Sequence, residues 1–451
     1  MKTTLLEHLR DLLTLAALTL CDPRPRRKFV NLALGLLCGQ KPKTLTSALE
    51  WLDQTQEDWS AHYRLFSQAH WDAQAVFQPL FSQALAHPAC GAQRVYTGQD
   101  DTLVRKTGRK IPGVAYARDP LSPPFQVNLV LGQRFVQTSL LLQPGGPTHP
   151  WRALPVSFSH APTPKIPKHA SAQEQAAFKE ARKKHRLSLV ALEQLCGCRQ
   201  QLDRQPGGPE RWLINVVDGG YSNRTFLTGL PERTDAVARV RKDAKFRAYL
   251  PTEQRRGARK YGPPLPTPLE YLRNQDLPWQ SLEVFVAGKM RPLHYKEVCG
   301  LCWPKVTQSR PLRLIVIQAA GYRLRKGSKL LYREPAFLIT TDLTTPAGEL
   351  IAAYLARWEV EVNFRDEKTL LGVGQAQVRH PQSVARTPAF LVAAYSMLLW
   401  SSIQVFGDRR TKDFAPLPAW RKNEPARPST RDLIRLLQQQ AAASDLNPMR
   451  N

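Results

Sequence analysis

Acidic side chains are scarce in this chain. Asp and Glu number 37 against 64 Lys and Arg, leaving a formal net charge of +27 over 451 residues. An enzyme of small metabolites has no need of that imbalance. It points to a polyanionic partner, nucleic acid before an anionic membrane surface. Cysteine is sparse too, and its count of seven is odd. This excludes a secreted disulfide scaffold and fits a reducing, cytoplasmic setting. The N-terminal apolar run, Leu12 to Cys21, follows Arg10 and Asp11 and lacks a small-residue cleavage site, so it reads as helix rather than signal peptide. One long uncharged run occurs, Ala389 to Gly407, but Tyr395, Ser396, Ser401, Ser402 and Gln404 lie within it. It is expected to be a buried helix, with no membrane partner. No internal repeat and no His-x3-His pair is present. Cys299-Gly-Leu-Cys302 is a single Cys-x2-Cys, and the other close pair, Cys196-Gly-Cys198, is poorly spaced, so a four-thiolate zinc site is not expected.

What remains is a globular composition, 42% hydrophobic and 22% charged, long enough for several domains. Residues 1–88 read as helical: Leu5, Leu9, Leu12, Leu13, Ala16 and Ala17 form a helical stripe, and similar runs follow at Phe29–Cys38, Thr44–Trp51 and Trp59–His70. From Arg94 the pattern turns to strands. Arg94–Asp101, Gly113–Tyr116 and Gln126–Leu142 are predicted strands, with Val127–Leu131 as a short apolar run typical of a buried one. The Pro- and Gly-rich stretch 143–170 reads as loop. Ser171-Ala-Gln-Glu174 is a capping-box start for a helix to about Arg199. Leu213–Val217 is an apolar strand ending at Asp218-Gly219-Gly220, followed by a short helix from Ser222 and a strand at Ala236–Val240. A basic, Pro-rich segment, Arg241 to about Gln280, precedes strand-like runs at Leu282–Ala287, Leu312–Gln318 and Ala336–Thr341. Thr345-Pro346 supplies an N-cap and a first-turn proline for a helix to about Leu371, and another helix begins at Pro388. This order is α/β with a mixed sheet, and carboxylates end two of its strands, where such sheets place their chemistry.

The segment Tyr354-Leu-Ala-Arg357-Trp-Glu-Val-Glu361-Val-Asn-Phe-Arg365-Asp-Glu-Lys368 is the most informative. At about 100° per residue, Tyr354, Arg357, Glu361 and Lys368 fall within roughly 60° of one another, and Arg365 lies on the same face. One carboxylate thus stands in a stripe of cations and a phenol, which suits a metal-binding acid flanked by phosphate contacts. Spacing alone also allows a solvated helix with intrahelical ion pairs.

The spacing Tyr-x2-Arg-x3-Glu-x6-Lys resembles the Y-R-E-K signature of bacterial insertion-sequence transposases, the hairpin-forming DDE group with an RNase H-like core. Gln99-Asp-Asp-Thr-Leu-Val-Arg-Lys-Thr-Gly108 resembles the first-aspartate block of a related branch. Val217-Asp-Gly-Gly-Tyr221 resembles the second-aspartate strand end, and Arg379, Ser383 and Arg386 resemble the segment after the signature. The likeness covers about residues 90–400. It implies a catalytic and metal-binding triad of Asp100, Asp218 and Glu361, holding Mg²⁺ (or Mn²⁺ in its place), for cleavage by two metal ions. The family pattern of Asp, any residue, then Ser or Thr selects Asp100 over Asp101, and strand alternation puts those two on opposite faces. By the same resemblance Tyr354, Arg357 and Lys368 contact DNA phosphates, with Arg365 on their face. An aromatic residue of the insert would stack a flipped base, and Trp279 and Trp303 are the candidates.

A basic stretch leaves the central sheet at Arg239, Arg241, Lys242, Lys245 and Arg247 and continues through Arg255, Arg256, Arg259 and Lys260, with Lys106 and Arg109 as extensions. Beside a metal site it reads as a track for the DNA backbone. The expected organisation is a helical domain at 1–88 and an RNase H-like core at 89–241 and 344–407. A basic, β-rich insertion at 242–343 interrupts the core, and a helical tail covers 408–451, where Leu433, Leu436 and Leu437 serve a dimer or ordinary packing. The implied function is a bacterial DNA transposase: it binds terminal inverted repeats, cuts through a hairpin, joins 3′ ends to target DNA and works as a homodimer. The alternatives are a metal-dependent structure-specific nuclease and a DNA-binding protein that has lost its chemistry.

Overall fold

The computed structural model describes residues 3–443 apart from 40, 41, 57, 120, 121, 124, 256, 258, 259, 287, 288, 323–328, 330, 333 and 422. The chain opens with helices α1 (Leu5–Ala17), α2 (Arg26–Cys38), α3 (Leu45–Trp51), α4 (Ser60–Ser67) and α5 (Gln78–Ala86). Thr4 and Glu7 cap α1 reciprocally, and its stripe of Leu5, Leu9, Leu12, Leu13 and Ala16 is buried. There follow β1 (Arg94–Arg105), β2 (Ala115–Arg118), β3 (Leu129–Leu142), β4 (Arg152–Ala161), α6 (Ala172–Lys184), α7 (Leu187–Asp203), β5 (Trp212–Val217), α8 (Arg224–Thr228) and β6 (Thr234–Arg239). The next segment holds β7 (Arg247–Ala248), α9 (Pro268–Arg273), β8 (Gln280–Val286), β9 (Lys289–Cys302), β10 (Leu312–Ile317), β11 (Gly321–Tyr322), β12 (Leu331–Tyr332) and β13 (Ala336–Thr340). Helices α10 (Ala347–Ala356), α11 (Trp358–Thr369), α12 (Pro381–Phe406) and α13 (Thr430–Ala443) complete it.

Eleven strands form one mixed sheet in the order β2-β3-β1-β5-β6-β13-β10-β9-β7, with β4 also on β3 and β8 also on β9. β1, β5 and β6 run parallel, while β3 is antiparallel to β1. This is the mixed α/β, RNase H-like layout expected from the sequence. Between β6 and α10, β7, β8, β9, β10 and β13 extend the same sheet, while β11 and β12 pair as a separate two-stranded sheet.

Several elements differ from the sequence expectations, for local reasons. The stretch 143–170 contains the ten-residue strand β4, almost wholly buried. Prolines and glycines on both sides, and Pro155 within, hid it; the register with β3 shifts between Thr138 and Ser139 to accommodate it. Val127 and Leu129 are exposed, so the buried part of β3 starts later than the apolar run suggested. The helix from Ser171 is two helices, broken at His185 and Arg186. The helix drawn to Leu371 likewise divides at Arg357, and α10 starts after Pro346 without a side-chain cap. Asp342 accepts from the Thr344 and Thr345 backbone N–H groups instead. α12 starts at Pro381 and runs through Pro388, whose missing N–H leaves the carbonyl one turn earlier without its usual donor.

α12 is long and apolar enough to cross a membrane, but it is buried within the protein, with β4 on one side and α1 and α2 on another. α13 packs there as well, burying Leu433, Leu436 and Leu437. Leu6 N–H donates to Gln440 Oε1 at 2.9 Å, and Gln438 Nε2 donates to the Cys38 carbonyl at 2.6 Å. The first and last helices therefore share one apolar core with α12, each buried Leu contributing on the order of 1.5–3 kcal/mol.

Candidate active site

Parallel pairing aligns two strand ends. Gln99 on β1 is in register with Val217, the last residue of β5, so Asp100 and Asp218 are level on neighbouring strands, about 4.8 Å apart in the sheet. Asp218 is extended, and the Gly219-Gly220 turn follows it directly. α11 crosses β1 closely because residue 98 is glycine: a Cβ there would stand 3.0 Å from Val360 Cγ2 and 3.3 Å from Leu141 Cδ2. That approach brings Glu361 and Arg357 over Asp100.

Arg357 Nη1 donates to Asp100 Oδ2 at 2.5 Å and lies 3.6 Å from Glu361 Oε1. One guanidinium thus serves two carboxylates. Asp100 Oδ1 also accepts from the Asp101 backbone N–H at 2.8 Å. Burial, with the nearby Asp101 and Glu361 charges, pushes the Asp100 carboxyl up to about 7 despite Arg357. Burial alone would lower Arg357, but Asp100, Tyr354, Asp218 and Glu361 together raise it, so its guanidinium lies in the field of the whole proposed triad. Tyr354 is raised, first by burial and also by Asp218, against Arg357 and Arg239.

Asp101 points to the other side of β1. Burial raises its carboxyl and Asp218 raises it further, while Arg134, the Tyr221 hydroxyl and Lys368 oppose the shift. Arg134 Nε is 4.0 Å from Asp101 Oδ2. Lys368 is lowered by burial and pulled back by Glu367, Glu361 and Asp101, and it lies over the Phe364 ring at 5.8 Å. Asp100 and Glu361 thus share Arg357, while Asp218, level with Asp100, acts on Arg357 and on Asp101 alike. Among the described residues no group of three or more His, Cys, Asp or Glu stands at metal-ligating distances.

The other sequence candidates fall in different places. Arg365 is exposed and bonded to its own neighbour Asp366, at 3.0 Å from Nε, which draws its guanidinium away from Glu361. Lys106 is buried and donates to the carbonyls of Gly374 and Ala376 at 3.0 and 2.8 Å, so its charge is not offered to a ligand. Burial lowers it to about 8. Arg255 Nε donates to the Leu250 carbonyl, Lys260 is exposed, and Arg256 and Arg259 lie outside the described residues. Trp279 is partly exposed beneath Lys296 Nζ, 4.5 Å from the ring centre. Trp303 packs edge-on against Phe246 in the core. Arg386 donates to the Phe66 carbonyl and covers Trp71. Two site residues escaped the sequence reading. Tyr221 was visible within the Val217–Tyr221 motif, but Arg134 reaches Asp101 only through the β1–β3 pairing and left no sequence signal.

A family model described as DDE superfamily endonuclease matches residues 20–297, more than half of the chain. The match includes Asp100 and Asp218 and ends before α10 and α11. No curated protein matches the chain.

Proposed function

From the premise that this chain belongs to the DDE superfamily endonucleases, and is thus a nuclease-type enzyme with DNA as its implied substrate, we propose that it is a DNA transposase of the insertion-sequence type. The observation that carries this reading is the meeting of Asp100, level with Asp218, with Glu361 and Arg357 of a Tyr-Arg-Glu-Lys helix. Family members normally use divalent metal ions. The residues fit such ions: the donors are hard carboxylate oxygens, and their mutual repulsion is answered by too few cations. Asp100, Asp218 and Glu361 would hold Mg²⁺, which supplies charge stabilisation at the attacking and leaving oxygens of a phosphodiester.

The protein's own part is positioning. Arg357, now bonded to Asp100, would be free to meet a DNA phosphate were that carboxylate to hold a cation instead. Lys368 and Tyr354 hold neighbouring phosphates in line, which fixes the scissile bond against the carboxylates. Water first hydrolyses one strand and frees a 3′-hydroxyl. That hydroxyl attacks the opposite-strand phosphodiester and displaces the flanking DNA's 3′-oxygen, closing a hairpin. A second water reopens it, and the 3′-hydroxyl joins target DNA by displacing a 3′-oxygen there. Pairing two element ends calls for two copies of the chain, acting on DNA in the cytoplasm.

The test is incubation of linear DNA carrying the element's ends with Mg²⁺ or EDTA, wild type beside Glu361→Ala, on a denaturing gel. Metal-dependent nicks and hairpins lost in the variant are expected. Cleavage without joining of a pre-cut end would assign a structure-specific nuclease instead. Binding without cleavage in either protein would sink the enzymatic reading in favour of an inert binder.

A further inference from the structure

α6 has no buried side chain over its thirteen residues. Apart from the half-buried Phe178 and Ala181 it is exposed on all sides. A helix of that length is marginal without packing, and this one has the Ser171–Glu174 capping box to hold its start. Its charge is one-sided. Lys165 and Lys168 precede it, and Lys179, Arg182, Lys183 and Lys184 lie within it, against Glu174 and Glu180, a net +4 over residues 165–184. All six cations are exposed, and none is in an ion pair among the described residues. Lys179, Arg182 and Lys183, spaced i, i+3 and i+4, share one face.

The sheet fixes where this helix stands. Asp101 pairs with Val136 and Val136 with Ser159, so a row runs from the proposed site across β3 to β4, about 10 Å away. β4 runs parallel to β1, since both are antiparallel to β3. The chain therefore leaves β4 at the catalytic edge and enters the Lys165 segment immediately. There Arg109, Lys110, Lys165 and His185 line a cavity of about 490 Å³. At its other end α6 meets α7 within two residues. α7 is tied to the strand of the aspartates: Gln99 Nε2 donates to the Ala191 carbonyl at 3.0 Å and lies 3.2 Å from Gln194 Oε1.

We infer that α6 with its preceding segment is a DNA arm that grips the phosphate backbone of a duplex beside the scissile phosphate. The inference rests on the nuclease reading and adds a second contact to it, on the opposite side of β1 from the basic stretch after β6. The partner is chosen by charge: a projecting, uncompensated cationic helix next to an enzyme site for DNA matches a polyanion. The contact reads no base sequence, because it is made by long, flexible Lys and Arg side chains directed at phosphates.

The test is fluorescence polarisation of a labelled duplex in EDTA, so that cleavage plays no part, over a salt series. The full chain is compared with Lys179→Ala/Arg182→Ala/Lys183→Ala/Lys184→Ala and with Lys179→Arg/Lys183→Arg/Lys184→Arg, which keeps the charge. The alanine variant should bind roughly ten-fold more weakly at about 0.1 M salt, and its log-log salt slope should fall by about 2–4. The arginine variant should match wild type, and all three should melt alike. Wild-type binding with an unchanged affinity and slope in the alanine variant would overturn the arm and leave the nuclease reading standing. A wild type that binds no duplex would overturn both. Loss of binding to phosphatidylglycerol vesicles with DNA affinity intact would assign the helix to a membrane surface and also overturn the arm.

Discussion

α11 carries charge on two faces, and the two are neutralised differently. On the face toward β1, Arg357 is divided between Asp100 and Glu361, while the Asp101 carboxyl is raised by burial and by Asp218, with Arg134 4.0 Å away. On the far face nearly every charge has its own partner. Arg427 donates to Glu359 at 2.5 Å, and Asp366 accepts from Thr430 at 2.6 Å and from Arg365 at 3.0 Å. Asn363 bonds the Ala153 carbonyl of β4 and accepts from the Tyr395 hydroxyl. Close by, Arg152 and Asp408 form a pair with both side chains almost fully buried. Compensated charge on the far face secures the helix. Crowded like charge on the near face costs stability and suits a site that binds cations and a polyanion.

The comparison predicts opposite responses to substitution. Glu361→Gln removes a charge that repels its neighbours, so cleavage should fall by at least about 10²–10³-fold while the melting temperature holds or rises. A large loss of stability would place Glu361 in the fabric of the fold instead. Arg152→Ala strands a buried carboxylate and should cost about 3–5 kcal/mol in urea unfolding. Thr430→Val removes one donor from Asp366 and should cost about 1–3 kcal/mol. Both would leave the chemistry of any folded fraction unchanged.

The smallest effect sharpens the divide within α11 itself. Glu367 is buried near Gln137, and burial pushes its carboxyl up to about 8. The unfolded chain loses that proton near the ordinary value of 4.5, while the folded chain keeps it up to about 8. The folded state thus binds more protons across this window, so the Glu367 contribution to stability declines as pH rises from about 4.5 to 8. Glu367→Gln should flatten that part of a melting-temperature profile between pH 5 and 9. An unaltered slope would show that Glu367 ionises without penalty.

Much of the near face was legible in the sequence because its signals are local. The Tyr354–Lys368 spacing lies on consecutive turns, and each aspartate closes a motif of a few residues. The far face was not, since Arg152 and Asp408 are 256 residues apart and nothing in either neighbourhood names the other. The same limit hid β4, whose alternation was masked by flanking prolines, and β9, whose polar face reads poorly until β8 and β10 flank it. The break at Arg357 is a tertiary effect as well: α10 follows the β5 side of the sheet, and α11 must turn to cross β1 and β4. Backbone propensity cannot anticipate that turn.

The shared core of α1, α12 and α13 has a consequence for the order of events during synthesis. Leu9 and Leu13 emerge from the ribosome long before the helix that covers them, because α12 is made only from residue 381 onward. α1 can pack on α2 and α5 early, but the surface that α12 and α13 cover stays open to solvent or to a chaperone until nearly the whole protein has appeared. The two aspartates are translated earlier in that interval, whereas Glu361 and the helix that seats it appear only at its end, just ahead of α12. An incomplete polypeptide is therefore left without a finished nuclease, and the cutting activity becomes available only to a chain that has closed on itself.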